Sequence, residues 1–255
     1  TGTPGNNYHR VGLRLADLLK ETVDVEVKTT RGSWENLEAI DENRRRCDAV
    51  VAQEDAYALH QFERPDSFLT MDRGANLFAE QLHLICNRVI KANFVHELNE
   101  KEIEMVVPEF GSGHYVTWKL FNRLNPRYQK FVAGEYSLEE ALLRVLDQQR
   151  PSCLFLVSKV GGETLIDTNA RFGDQLKLVE FVDPKLAVPV GRDRRTVYVP
   201  GVISQDSYPR LADRDVKTHA VQAVFFTSPE WRARYPEAAR LLNKSLLELV
   251  VTLKL

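Results

Sequence analysis

The residues best placed to do chemistry lie in one stretch, Met105–Leu120, which reads M-V-V-P-E-F-G-S-G-H-Y-V-T-W-K-L. A short apolar run feeds a glycine-serine turn that opens a helical pattern. This order leaves the first amides of a helix without intrahelical partners, pointing where the positive end of the helix dipole points, and the chemistry on offer is anion binding. Gly111 and Gly113 can take backbone angles that a β-carbon forbids and let a ligand approach the main chain. Ser112 adds a hydroxyl, and His114 adds a ring that either donates to an anion or caps the helix. Taken alone, the segment reads as a βα turn with a good cap.

Two earlier places are of the same kind. Thr1–Gly5 is turn-rich and opens a helical pattern with Tyr8, Val11, Leu15, Leu18 and Leu19 on one face. Val23–Thr30 alternates Val23, Val25 and Val27 with Asp24, Glu26 and Lys28, as a half-buried strand does. Arg31-Gly32-Ser33 follows, with Ser33 placed to cap a helix that carries Glu35 in its first turn. Asp48–Gln53 is an apolar run ending in Gln53, Glu54 and Asp55. It is expected to be a parallel strand, at whose carboxyl end polar groups would meet a ligand.

Catalysis finds little support. There is no G-x-S-x-G elbow, no G-x-x-x-x-G-K, no H-E-x-x-H and no cysteine pair with zinc spacing. The six histidines are scattered and are expected on the surface or satisfied in the core. Ser112 and His114, two residues apart, would diverge around a helix turn, and no carboxylate is evident to orient the pair. The expectation is a protein that binds and is not an enzyme, with no cofactor and no metal. Lys159, at the end of a buried run, is either a charge partner for a ligand or a strand-end lysine in water. Tyr8, Trp34, Tyr57, Phe110, Phe155 and Tyr198 stand near the loops and either wall a binding cleft or fill the core.

The elements that must position these groups alternate between strand and helix. Phe62–Asn76 reads as loop and Leu77–Arg88 as an extended crossing segment with Leu82, Leu84 and Cys86 alternating. His114–Leu124 reads as helix, and so does Ser137–Gln149, with Ser137 and Glu140 forming a capping box. Pro151–Val160, Leu176–Phe181, Thr196–Pro200 and His219–Thr227 read as strands, Leu165–Phe172 and Pro236–Leu253 as helices. This alternation implies α/β architecture with mostly parallel sheets flanked by helices, in two lobes. Residues 1–85 with about 195–255 form the first lobe and about 86–194 the second, with crossovers near 80–90 and 190–205.

Composition narrows the classes further. The chain has 255 residues, 44% of them hydrophobic, enough for two modest cores. Its 34 basic and 36 acidic residues leave a net charge of -2, which disfavours nucleic acid; the run Arg44–Arg46, beside Glu42 and Asp48, reads as a solvated helix end. Cys47, Cys86 and Cys153 are far apart and read as small core residues. No apolar run reaches the ~18 residues a membrane span needs. The first residue is Thr1 rather than Met, as in a processed or trimmed chain.

Four blocks together carry a resemblance: T-G-T-P-G-N-N-Y-H-R-V-G-L-R-L-A-D-L-L, R-G-S-W-E-N-L, D-A-V-V-A-Q-E-D and V-P-E-F-G-S-G-H. In this order and spacing they resemble the TAXI family of solute-binding proteins, which is associated with TRAP transporters. The second half is similar more loosely, through L-F-L-V-S-K-V-G-G, Y-V-P-G-V-I and D-V-K-T-H-A-V-Q-A-V-F-F-T. The resemblance implies a periplasmic protein of the type II periplasmic-binding-protein fold. Its two lobes would close on a small anionic solute such as an amino acid or dicarboxylate, as a monomer that works with membrane transporter subunits. By motif position it implies ligand contacts at Gly5, Tyr8, Ser33, Asn36, Gln53, Gly111, Ser112 and Gly113; Trp34, His114 and Lys159 join them as candidates from their own chemistry. Asn6-Asn7, His114 and Lys159 depart from the family's usual residues. The sequence also stops soon after its last helix, which keeps open a sensor domain or a receptor fused to a membrane segment.

Overall fold

The computed structural model describes residues 1–41, 46–66, 71–108, 110–191 and 194–252. Most of the run Arg44–Arg46 lies outside them. The chain forms two compact units. Unit 1 holds residues 1–78, 191–193 and 222–255, and unit 2 holds 79–190 and 194–221.

Unit 1 begins with α1 (Asn7–Leu19), which starts where Asn6 accepts a hydrogen bond from the His9 amide at 2.8 Å. Tyr8, Val11, Leu15 and Leu19 are buried, while Leu18, expected on the same face, is exposed. Val23–Thr30 keeps the expected alternation, with Val23, Val25 and Val27 half-buried between exposed neighbours, but it forms no strand. Val23 and Val25 pack on the unit 1 core instead of joining a ladder. Next come α2 (Ser33–Ile40), β1 (Ala49–Gln53) and α3 (Glu54–Glu63). The sequence places Gln53, Glu54 and Asp55 at the carboxyl end of a parallel strand, where polar groups would meet a ligand. Gln53 is in fact the residue that opens α3, whose first turn carries Glu54 and Asp55 at the favourable end of the helix dipole.

β2 (Asp72–Asn87) begins five residues before the expected extended segment and runs from unit 1 into unit 2. Unit 2 continues with β3 (Glu104–Pro108), α4 (Gly113–Leu124), β4 (Val132–Tyr136), α5 (Leu138–Leu146), β5 (Ser152–Ser158), α6 (Glu163–Phe172) and β6 (Leu176–Val179). A short hairpin of β7 (Pro189–Val190) and β8 (Arg195–Thr196) precedes β9 (Tyr198–Ile203). β10 (Val216–Thr227) returns the chain to unit 1, which is completed by α7 (Pro229–Arg234) and α8 (Pro236–Thr252). The sequence assigns about 195–255 to the first lobe, but residues 194–221 cluster with unit 2. β9 ladders onto Val216–Val221 of β10, and Tyr198 and Tyr208 are fully buried among unit 2 side chains.

The sheets are mixed rather than mostly parallel. β3 pairs in parallel with β4 and β5, whereas β2 pairs antiparallel with β5 and β6, and β9 with β10. β1, expected to be parallel, is antiparallel to Ala223–Thr227 of β10, because the strand that returns to unit 1 runs against it. The unit 1 core joins Val11 and Leu15 of α1 to Phe78, Phe225 and the α8 leucines 242, 246 and 249. In unit 2 one sheet face buries Ile85, Leu154 and Leu156 under Ala141 and Val145 of α5. The other is an aromatic cluster in which Trp118 and Phe121 of α4 meet Tyr128, Phe155 and Phe181. The capping box of Ser137 and Glu140 opens α5 as expected.

Two of the three cysteines are not free thiols. Cys86 and Cys153 sit directly opposite each other on β2 and β5 and form a disulfide; Cys47 remains free. Spacing in sequence carried no hint of the bond, since it depends on the register of two strands.

Candidate functional site

In unit 2 the groups converge on the carboxyl ends of β3 and β5, which run side by side. Ser112 opens α4: its hydroxyl accepts from the Tyr115 amide at 3.2 Å and donates to the Pro108 carbonyl at 3.3 Å. Gly111 takes φ +88°, a left-handed angle that suits glycine, and so turns the chain into the helix. Gly113 and His114 are the first two residues of α4, where amides have no intrahelical partner.

His114 has a definite job. The β3–β5 ladder ends at Val106 and Leu154, leaving the strand amides beyond it without a neighbour on that side. His114 Nδ1 accepts from the Val157 amide at 2.8 Å. Nδ1 is therefore bare, the ring proton sits on Nε2, and burial pushes the pKa down from 6.5 to about 4. The ring is a neutral donor through Nε2–H, fixed in orientation by β5 and half-buried at the mouth of α4. Lys159 follows β5 directly, is half-buried, and makes no ion pair among the described residues. The next turn is fastened by Tyr208, whose hydroxyl accepts from the Gly161 amide at 2.8 Å. Phe110 is 45% exposed and lies edge-on to Tyr115.

In unit 1 the structure gathers Ser33, Asn36 and Gln53 around the end of β1. Ser33 is the first residue of α2 and not its cap, which is Gly32; the Ser33 hydroxyl instead accepts from the Gln53 amide at 3.2 Å. Asn36 is fully buried and committed at both ends. Its Nδ2 donates to the Val51 carbonyl at 2.7 Å, and its Oδ1 accepts from the Thr30 hydroxyl at 2.7 Å. Gln53 is buried with Oε1 unpartnered. Trp34 packs against His60, ring centres 5.2 Å apart, and Tyr8 packs against Phe78 at 6.0 Å, so both are core residues. Gly5 holds φ +84° before α1, with open space where a β-carbon would stand. Tyr57, Phe155 and Tyr198 are buried as well, which leaves Phe110 as the exposed member of the six aromatics.

Sequence reasoning missed His83, Gln81 and Tyr208. His83 was expected to be satisfied or on the surface. It is fully buried on β2, its Nδ1 donates to the Gln81 carbonyl at 2.9 Å, and its Nε2 has no partner. Burial holds its pKa near 4. The signal available was the alternation of Gln81 and His83 with Leu82 and Leu84 in the second half of the strand. His60, in unit 1, is likewise buried, near Asp41, with its pKa lowered to about 4. Among the described residues no group of three or more histidine, cysteine or acidic side chains is arranged to hold a metal, and no helix is long and apolar enough to cross a membrane.

Residues 1–254 match the model of a family described as the NMT1-like family. No curated protein matches the sequence. Among solved structures, the ligand-binding core of GluR0 in complex with L-glutamate superposes with a TM-score of 0.56 at 11% identity, covering 99% of this chain and 90% of that one. Lactococcal OpuAC in its closed, liganded conformation with glycine betaine gives 0.55 at 11% identity, covering 95% and 82%. The periplasmic VFT2 domain of Bordetella pertussis BvgS gives 0.50 at 12%, covering 95% and 79%. At such identities the likeness is one of fold: α/β, of the two-lobed periplasmic-binding-protein kind.

Proposed function

The chain belongs to the NMT1-like family, and on that premise we propose that it is an extracytoplasmic solute-binding protein that captures a small carboxylate-bearing solute, an amino acid or dicarboxylate, for a TRAP-type transporter. The observation that carries this reading is the donor set at the mouth of α4. It comprises the first helix amides, a His114 ring fixed as an Nε2–H donor, and Lys159, which makes no ion pair among the described residues. Such a set offers hydrogens and positive potential to an anion. Of the unit 1 candidates Gly5, Tyr8, Ser33, Trp34, Asn36 and Gln53, the strongest is Gln53, whose side-chain oxygen has no partner among the described residues, and the weakest are Tyr8, Trp34 and Asn36, which are engaged in the core.

Catalysis by Ser112 and His114 is disfavoured by the same geometry. The serine hydroxyl is engaged by the helix cap and by Pro108, and the histidine lone pair that would take its proton is occupied by Val157. The cross-strand disulfide supports a compartment outside the cytoplasm.

A thermal-shift screen against amino acids, dicarboxylates, phosphates and small sugars tests the reading, since a ligand of the folded state raises its midpoint by mass action. A shift confined to carboxylates, weakened about tenfold or more in affinity by Lys159→Gln, is the expected result. A folded protein that answers to none of them would refute it.

A further inference from the structure

β5 turns its two faces to different neighbours. Phe155 packs against Trp118 and Phe121 of α4, with ring centres 5.5 and 5.6 Å apart, and the Val157 amide is held by His114 of the same helix. Leu154 and Leu156 point the other way, into the core under α5, and Ser158, opposite Gln81 of β2, follows them. The odd-numbered residues therefore lie on the α4 side, and Lys159, the first residue past the strand, continues that series. What holds it there comes from the opposite face.

Lys159 opens a four-residue turn, closed where the Gly162 amide donates to the Lys159 carbonyl at 3.2 Å, with Gly161 at φ +81° in the third position, an angle that suits glycine. Two side chains reinforce this single backbone bond. Ser158 Oγ donates to the same Lys159 carbonyl at 3.3 Å, and Tyr208 Oη accepts from the Gly161 amide at 2.8 Å. Gly162 fits so closely behind Ser158 that a β-carbon there would stand 2.9 Å from the serine hydroxyl. Tyr208 is itself immobilised. It is fully buried, edge-on to His83 with ring centres 5.7 Å apart, and lies in one core with Leu156 and with Leu165 of α6. Its amide donates to the Gln205 carbonyl, and its carbonyl accepts from the Leu211 and Ala212 amides, each at 3.0 Å.

Resting on the solute-binding reading above, we propose that Tyr208, with Ser158, is a positioning residue for Lys159: by fixing the Lys159–Gly162 turn from the core side of the sheet it keeps the lysine on the α4 side, and affinity for a carboxylate depends on it although the tyrosine touches no solute. A lysine on a loose turn carries the same charge but loses more freedom when it engages an anion, so a turn fixed beforehand lowers the cost of binding.

The test is titration calorimetry on the whole protein with propionate, L-alanine, glutarate and L-glutamate, comparing the parent with Tyr208→Phe, Lys159→Gln and the double variant. Tyr208→Phe keeps the ring and removes the acceptor. For the tightest-binding of these probes, or of the carboxylates in the screen, it is expected to weaken affinity about fivefold, and to weaken it no further once Lys159 is replaced. A merely structural loss would lower affinity equally on both backgrounds, and urea denaturation of each variant reads stability separately. Ser158→Ala is expected to give the same pattern at about threefold and serves if Tyr208→Phe does not fold. Affinity within about twofold of the parent in the folded variant, an equal loss with and without Lys159, or a Lys159→Gln protein that binds as the parent does, overturns the positioning role and leaves the solute-binding reading standing. Binding of none of the four probes, nor of any other carboxylate in the screen, removes both.

Discussion

Reduction of the Cys86–Cys153 bond tests the central register of unit 2. The bond closes a loop of 67 residues, from β2 to β5. Treated as a constraint on the unfolded chain, a loop of that length removes about 15 cal/mol/K of entropy, or about 4 kcal/mol at 25 °C. Both sulfurs belong to fully buried residues, so a reductant has little access to the native protein and acts once unit 2 opens. The assay is guanidinium denaturation with and without a phosphine reductant, read by tryptophan fluorescence from Trp118, which packs on Phe155 of β5. The reduced protein is expected to lose about 4 kcal/mol, corresponding to roughly 10 °C in Tm. Cys86→Ala/Cys153→Ala should reproduce the loss without reductant, and Cys47→Ser should not, because Cys47 is free. Coincident curves with and without reductant, or three titratable thiols in the denatured, unreduced protein, would refute the pairing and with it the register that sets Gln81 opposite Ser158.

Further predictions concern burial. His60 and His83 have folded pKa values near 4 against 6.5 unfolded, so as pH falls the unfolded chain takes up these protons first. Their contribution is intact above pH 6.5 and is lost between 6.5 and about 4, by up to about 3 kcal/mol each; His83→Phe should flatten the acid limb of stability against pH, and an unchanged slope would count against a neutral buried ring. Asn36→Ala strips the hydrogen bonds to Val51 and Thr30 and should cost about 2–3 kcal/mol in urea denaturation, whereas a loss under about 0.5 kcal/mol would mean the residue is not committed as described. Gly161→Ala, at φ +81° with open space around the added carbon, should cost about 1 kcal/mol by backbone strain alone, and a stabilised variant would contradict that angle.

The segments that declared themselves in sequence are those whose local chemistry decides their structure. Ser137–Gln149 had a capping box and a stripe, and α5 forms there; G-S-G-H had glycines and a helix pattern, and α4 opens there. What escaped depended on partners distant in the chain. Val23–Thr30 alternates like a strand but packs on a core without a ladder to join, because alternation reports which side is buried and not whether a neighbour strand exists. Ser33 looks like a cap in sequence, but Gly32 takes that role and frees the serine for the Gln53 amide. The alternation around His83 marks its face of the strand, but an imidazole between leucines gives no sign in sequence of whether its second nitrogen finds a partner. The cysteine pair was hidden for the same reason: only the β2–β5 register brings 86 to 153.

β2 and β10 carry the chain between the units as continuous strands, and this has a bearing on how the protein is made. Nearly all of unit 2 is one uninterrupted run, 79–221 apart from residues 191–193, so its sheet can assemble as soon as that run has left the ribosome or crossed a membrane. Unit 1 has no such freedom. Val51 of β1 finds its partner only when Phe225 emerges, and the leucines of α8 that cover α1 come later still. The amino-terminal 78 residues must therefore wait, with Val11, Leu15 and Phe78 uncovered, while the inserted unit is synthesised and folds. Contacts of such long sequence separation form slowly. During that interval the early segments are the part of the molecule most in need of a holding chaperone.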